Sequence, residues 1–344
     1  MYLLLAGLAA VLIFLYFHYI YRKKSVACLM YHNVFNEKTE GIISEEEFEK
    51  HMEYIKDMKT YKMEELEEMN YILDEKSILV TFDDGYKNNY TKAFPILKKY
   101  NIKATIFLNT AYIGNDRDYL DWDEIKEMYE SGLVDFQLHT HSHYPTIRKA
   151  EIKGFFEKTE GDFVKREYFS IFREGFSKKE KTEIKDFRDL DFTGLPVFKI
   201  RSQISIKGMK LKEGFMDKYR KIVNSEEFKG KSSKEQKIFL NKLFKEQKKE
   251  FFEEISDEEF EKRVEFEISE NKRLIEEKLN KKAEFLSYPW GHAYKGNVKK
   301  IKKLGIKSFV MTSGNASGIK LNPEKIYRIN GDRIKDYNLF EKKF

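Results

Sequence analysis

The chain has 344 residues, 41% hydrophobic and 35% charged, a balance that excludes a disordered polymer and allows one large α/β core or two smaller ones. Its net charge of +6 is spread over a Lys- and Glu-rich sequence; no arginine-rich stripe with interleaved aromatics is present, which argues against nucleic acid and leaves anionic polymers and membrane surfaces open. Cys28 is the sole cysteine, so there is no disulfide framework, and a single thiol in an apolar run reads as a small buried hydrophobe.

Residues 2–20 are almost wholly apolar, and as a helix they would extend about 28 Å, close to the hydrocarbon thickness of a bilayer. The pattern predicts a single membrane span within an anchor segment 1–24, followed by a catalytic region 25–344. Basic residues do not precede the run, no small-x-small site comes after it, and it ends in Phe17-His18-Tyr19-Ile20-Tyr21, so it reads as an uncleaved cell-membrane anchor with aromatics at the headgroups. Arg22-Lys23-Lys24 come next, and the positive-inside rule puts the catalytic region in the cytoplasm.

Val26 to Met30 reads as a first strand ending at Tyr31-His32. Ser44 and Glu47 form a capping box for a helix carrying Phe48, Met52 and Ile55 on one face. Strands are predicted over 77–82, 103–108 and 133–138, with helices between them near 93–97 and 123–129. Regular alternation of this kind argues for parallel strands with crossover helices. Residues 146–250 break the rhythm: 197–206 alternates with period 2 before Gly208, a candidate hairpin turn, and 217–223 and 235–251 look like charged amphipathic helices. We read this stretch as a large mixed insertion placed over the mouth of the site. The alternation resumes with a long helix over 257–280, strands at 284–288 and 307–311, a helix at 298–304 between them, and a last strand at 327–330.

Chemistry concentrates at two strand ends. Thr81-Phe82-Asp83-Asp84-Gly85-Tyr86 follows the apolar run Ile78-Leu79-Val80, and adjacent carboxylates there are costly unless something nearby uses their charge. Leu138-His139-Thr140-His141-Ser142-His143 follows a second apolar stretch, and His139 and His143, four apart, could aim at one point. An Asp with two His makes a hydrolytic, zinc-type site with an open coordination position. His141, two residues from each, points away.

Taken in order, Thr81-Phe82-Asp83-Asp84-Gly85, His139-Thr140-x-x-His143 and Leu286-Ser287-Tyr288-Pro289-Trp290-Gly291 resemble the three motifs of the polysaccharide deacetylases, the NodB-homology fold of carbohydrate esterase family 4. The resemblance covers roughly residues 26–145 and 255–335. It implies a distorted seven-stranded (β/α) barrel. It also implies Asp84, His139 and His143 as ligands of a divalent metal, zinc or another transition ion, with Asp83 as the base that takes a proton from the attacking water. The Trp290 backbone N–H would stabilise an oxyanion while the indole walls an acyl pocket. Tyr86, Tyr288, Pro289, Gly291 and Arg201 are candidate substrate-binding positions. His292 could face the entrance or the surface.

Two departures from the family pattern matter. Ser287 stands where the family has an arginine that holds the base, and Arg201 or Arg328 could replace it. No histidine follows His292, so the late histidine that serves as general acid is missing; His32 is the candidate by position. The implied function is removal of N-acetyl groups from an amino sugar in a cell-envelope polysaccharide or a lipid-linked glycan precursor. The alternatives are an O-deacetylase or N-deformylase of the same fold, or a weakly catalytic glycan-binding pseudoenzyme. Family habit sets such domains outside the membrane, against the charge cluster at 22–24.

Overall fold

Runs of residues buried on both faces, such as Val26–Tyr31 and Ser77–Phe82, are what a parallel sheet covered by helices requires. The computed structural model describes residues 7, 11–14, 16, 26–36, 42–73, 77–312 and 318–334. Two compact units emerge, Met1–Ser142 with Phe266–Ala293 and Lys299–Phe344, and His143–Glu265 with Tyr294–Val298.

The first unit holds a parallel sheet of β1 (Val26–Tyr31), β2 (Ser77–Phe82), β3 (Ala104–Leu108), β4 (Val134–Leu138), β5 (Phe285–Ser287), β6 (Ser308–Met311), β7 (Ile326–Tyr327) and β8 (Ile329–Asn330). Their spatial order is β7-β6-β5-β4-β3-β2-β1-β8, with the short strand Lys59–Thr60 also pairing with β2. The two ends of this order, β7 and β8, are separated in sequence by Arg328 alone. The sheet therefore curls into a nearly closed barrel, and the last expected strand is split in two at its seam.

Register sets the rim. Tyr31 pairs with Phe82, Phe82 with Ile106, Leu108 with Leu138, and Leu138 with Leu286. The strands end almost in step, so His32, Asp83, Asn109, His139 and Ser287 come to the same carboxyl-terminal edge, where α/β barrels build sites. Around them pack α1 (Glu45–Ile55), capped by the Ser44/Glu47 box, then α2 (Phe94–Tyr100), α3 (Trp122–Glu130) and the later part of α4 (Asp257–Leu279). α1 buries Phe48, His51, Met52 and Ile55, the i, i+3/i+4 stripe read from the sequence.

The second unit is a four-stranded antiparallel sheet, ordered Phe252–Glu254, Met209–Leu211, Pro145–Phe155, Pro196–Ser202, over a phenylalanine-rich core including Phe156, Phe172, Phe198, Phe215 and Phe244. The hairpin expected about Gly208 is corrected here. Gly208 does turn, at φ +65°, but the strands flanking it both pair with Pro145–Phe155. That strand carries three register shifts, and each bulge breaks the period-2 alternation by which a strand is recognised.

No helix among the described residues is long and apolar enough to cross a membrane. The span expected over residues 2–20 lies outside the described residues except at 7, 11–14 and 16, where the chain is helical and exposed.

Candidate active site

Donor atoms of Asp84, His139 and His143 lie within 4.8 Å of one another, and all three residues are buried. Three of the backbone angles that bring the site together are in the left-handed region: Asp84 at φ 74°, Thr140 at 73° and His143 at 56°. Non-glycine residues avoid this region, and such outliers cluster where function dictates side-chain aim.

His139 is fixed from every side. Its backbone N–H donates to the Leu108 carbonyl and to Asn271 Oδ1, both at 3.1 Å, and the Asn109 amide donates to its carbonyl at 2.7 Å. Nδ1 lies 2.9 Å from the Ser287 carbonyl oxygen. A carbonyl can only accept, so Nδ1 carries the proton and the Nε2 lone pair is left for a ligand. That Nε2 lies 3.4 Å from Asp84 Oδ1 and 3.8 Å from Asp83 Oδ2. His143 Nδ1 lies 3.2 Å from Glu167 Oε1, an ion-pair distance without hydrogen-bond alignment, which sets a carboxylate beside the imidazole. His141 is outside the group: its Nδ1 contacts Thr110 Oγ1 at 2.9 Å and its ring meets the edge of Phe266.

Asp83 is held by Arg328. The guanidinium is fully buried and engages the carboxylate through both ends, Nη1 to Oδ1 and Nη2 to Oδ2, each at 2.7 Å. Its other donors reach Thr81 Oγ1 at 3.1 Å, Ser287 Oγ at 2.8 Å and the Met311 carbonyl at 3.1 Å, so the planar fork is satisfied throughout. Burial is the largest single influence and would raise the Asp83 carboxyl, but the Arg328 charge and hydrogen bonds, together with the neighbouring His139 and His32, outweigh it and hold the group well below the usual carboxylate range. Ser287, where the family pattern has arginine, instead donates to Asp83 at 3.3 Å.

His32 follows β1, one register step beyond the Tyr31–Phe82 pair and therefore beside Asp83. Its Nδ1 lies 2.7 Å from Asp332 Oδ2, and its backbone N–H donates to Oδ1 of the same residue at 3.4 Å. Burial would lower the imidazole, yet the Asp332 hydrogen bond and charge push it from 6.5 up to about 9. The ring keeps 35% of its surface exposed while Asp332 is buried, so one face stays open.

The remaining candidates fall in several surroundings. Tyr86 is buried against Tyr119, and Tyr288 stacks flat on Phe309 with centroids 5.5 Å apart. Pro289, Trp290 and Gly291 form one turn, with Trp290 at φ 53° and its ring 5.9 Å from His292. A Cβ on Gly291 would sit 1.9 Å from Thr312 Oγ1, so glycine is obligatory there. Arg201 lies in the second unit, opposite Thr146 on the strand Pro196–Ser202. Cys28 is buried, which pushes its thiol up to about 12.

Sequence reasoning missed Asp332, Glu167, Asn271 and Glu267. Asn271 bonds His139, Leu108 and Thr110, and Glu267 accepts from the Ser142 N–H at 2.8 Å and hydroxyl at 2.6 Å. Both fall in the buried stripe of α4 with Val264, Ile268 and Ile275, and polar residues interrupting an apolar stripe are a usable signal.

Residues 70–193 match the family model described as polysaccharide deacetylase. The chain is 37% identical over 121 residues to YxkH of Bacillus subtilis, covering 33% of this chain and 42% of that protein. It is 29% identical over 168 residues to the poly-beta-1,6-N-acetyl-D-glucosamine N-deacetylase of Staphylococcus aureus, covering 46% of this chain and 57% of the relative. The matched region thus spans about half the length of these curated relatives. A solved de-N-acetylase from Aggregatibacter actinomycetemcomitans superposes with TM-score 0.60 at 14% identity, over 93% of this chain and 100% of the other; at that identity the likeness speaks to the fold.

Proposed function

On the match of residues 70–193 to the polysaccharide deacetylase family model, we propose that the chain is a metal-dependent hydrolase removing N-acetyl groups from an amino sugar in a cell-envelope polysaccharide or lipid-linked glycan. The observation that carries the reading is the convergence of Asp84, His139 and His143 beside an ionised Asp83. One carboxylate and two imidazoles, buried and mutually within 4.8 Å, are the donor set of a divalent transition ion, zinc first. Such an ion would polarise the acyl carbonyl and acidify the attacking water.

The chain's own groups supply the proton chemistry. Asp83, kept charged and aimed by Arg328, accepts a proton from the water that attacks the acyl carbon. As the amide C–N bond breaks, the departing amine needs a proton, and His32, held protonated by Asp332, donates it. Acetate and a free amine are the products. In this reading the Trp290 turn borders the acyl group, and the missing late histidine is replaced from the opposite end of the chain.

The Staphylococcus aureus relative's printed name specifies a β-1,6-linked N-acetylglucosamine polymer, and we take neutral N-acetylglucosamine oligomers as the first substrates to try. Purified chain, stripped and reloaded with zinc, should release acetate and free amine from them, and Asp83→Asn should not. Equal release by both would end the reading. We include a membrane tether over residues 2–20, supported by the apolar run there; release of the whole chain from membranes by alkaline carbonate would remove that part.

A further inference from the structure

The stretch from His139 to His143 is an irregular loop, so the i, i+4 bonds of a helix do not set the spacing of the two histidines. Thr140 within it holds φ 73°, a conformation that persists in a non-glycine residue only where its surroundings enforce it. The loop's backbone groups are taken up from outside it. The His141 carbonyl accepts from the Ala111 N–H at 2.9 Å, and the Asn109 amide bridges the His139 and Thr140 carbonyls at 2.7 and 3.3 Å. Three of its donors run to α4: the His139 N–H to Asn271 Oδ1 at 3.1 Å, the His141 N–H to the Glu267 carbonyl at 2.9 Å, and the Ser142 N–H to Glu267 Oε2 at 2.8 Å.

Glu267 and Asn271 stand four apart on α4 and so reach the loop from one face of the helix. Glu267 does more than its neighbour. Besides accepting from the His141 and Ser142 N–H groups, it takes the Ser142 hydroxyl on Oε1 at 2.6 Å, the length of a charge-assisted bond. Its side chain is 3% exposed and lies in the stripe of Val264, Ile268 and Ile275, a setting in which a carboxylate is costly and an apolar residue would pack freely. What it grips accounts for its presence there. Both carboxylate oxygens accept from Ser142, the residue directly before His143, and a hold on the N–H and the hydroxyl of one residue fixes its rotation as well as its position.

On the metal-dependent reading proposed above, we infer that Glu267 is a positioning residue for the ligands His139 and His143: by clamping Ser142 it holds the loop between them in its ligating conformation before an ion arrives. A loop already set in this way lowers the ordering cost that ion binding would otherwise bear. The competing account, a carboxylate that merely helps the barrel cohere, requires that its loss loosen the strands as much as the loop.

The test compares the full metal-stripped chain with Glu267→Gln and Ser142→Ala. Glutamine keeps the volume but offers one oxygen to the two donors of Ser142. Hydrogen exchange over residues 139–143, read by mass spectrometry, should quicken ~10-fold in Glu267→Gln, while β1 and β2 keep wild-type rates. Zinc, titrated against a chromophoric chelator, should bind that variant ~10-fold more weakly. Ser142→Ala should lose part of the same affinity, and the double variant should fall no further than Glu267→Gln, because both changes sever one contact. Should Glu267→Gln fail to fold, Ser142→Ala carries the same comparison of loop with strands. Wild-type zinc affinity in the variants, unchanged exchange in the loop, quickening spread equally over loop and strands, additive losses in the double variant, or a wild type that takes up no zinc would each overturn the inference. Zinc bound by wild type without acetate release from N-acetylglucosamine oligomers would instead refute the proposed function and leave the clamp standing.

Discussion

Arg328→Met removes the counter-charge of Asp83 while keeping much of the side-chain volume. In the native chain five N–H donors are spent on Asp83, Thr81, Ser287 and Met311, at zero exposure. Deleting one member of a buried pair costs about 3–5 kcal/mol, because the other is left charged and dry. The orphaned Met311 carbonyl pushes the loss toward the upper end. Adding Asp83→Asn removes the stranded charge, so the double variant should be more stable than Arg328→Met alone. Trp122 and Trp290 are the chain's two tryptophans and both lie in the first unit, so urea unfolding followed by their fluorescence reports the barrel. The metal-stripped chain is the sample to use, since a cation at Asp84 would partly stand in for the guanidinium. The sign with pH is fixed by the depressed Asp83 carboxyl: its stabilisation is full above the unfolded value of about 3.9 and is lost as pH falls. The gap between wild type and Arg328→Met should therefore be wide at neutral pH and shrink below about pH 4. A cost under about 1 kcal/mol, a gap indifferent to pH, or a double variant weaker than the single would refute the account.

Three further outcomes are expected at the site. His32 is raised from 6.5 to about 9 by Asp332, so its acid form is lost as pH climbs: kcat/KM should fall on the alkaline side, a bound cation should bring that limb below 9, and Asp332→Asn should move it further toward acid. His32→Ala should cut turnover ~10²- to 10⁴-fold at unchanged metal content; an unaltered alkaline limb would dismiss it. Zinc at 100 times its Kd should stabilise the chain by about 2.7 kcal/mol, read as a rise in Tm that Asp84→Ala abolishes; a rise that persists would place the ion elsewhere. Asn271→Leu removes one of two acceptors from the His139 N–H and one of two partners from the Thr110 hydroxyl, and should weaken zinc binding ~10- to 100-fold without touching a ligand, as measured by competition with a chromophoric chelator.

The parts of the site legible in the sequence are those that come directly after apolar runs. Asp83 and Asp84 after Ile78-Leu79-Val80, and His139 after Phe136, are strand ends whatever the register, and strand ends in such folds share an edge. Arg328 was legible only as one of two arginines, because its pairing depends on how the sheet closes, and no local pattern encodes closure. Asp332 had no signal at all; it lies 300 residues from His32, and neither neighbour periodicity nor a cap marks it. The strand Pro145–Phe155 was hidden by its own bulges, and the sheet of the second unit with it. Asn271 and Glu267 were readable in principle, as polar residues on the buried stripe of α4.

Barrel closure through Arg328 also has a timetable. The guanidinium is 245 residues downstream of the carboxylate it neutralises, and at cellular elongation rates of ~5–20 residues per second the first waits on the order of 10–50 s for the second. Throughout that interval β1 has no β8 beside it, an unpaired parallel edge adjoining an acid that must stay hydrated or protonated. A ribosome-stalled chain lacking the seam should therefore recruit holding chaperones and resist compaction, and the half-made barrel would keep an acid without its counter-charge until Arg328 is made.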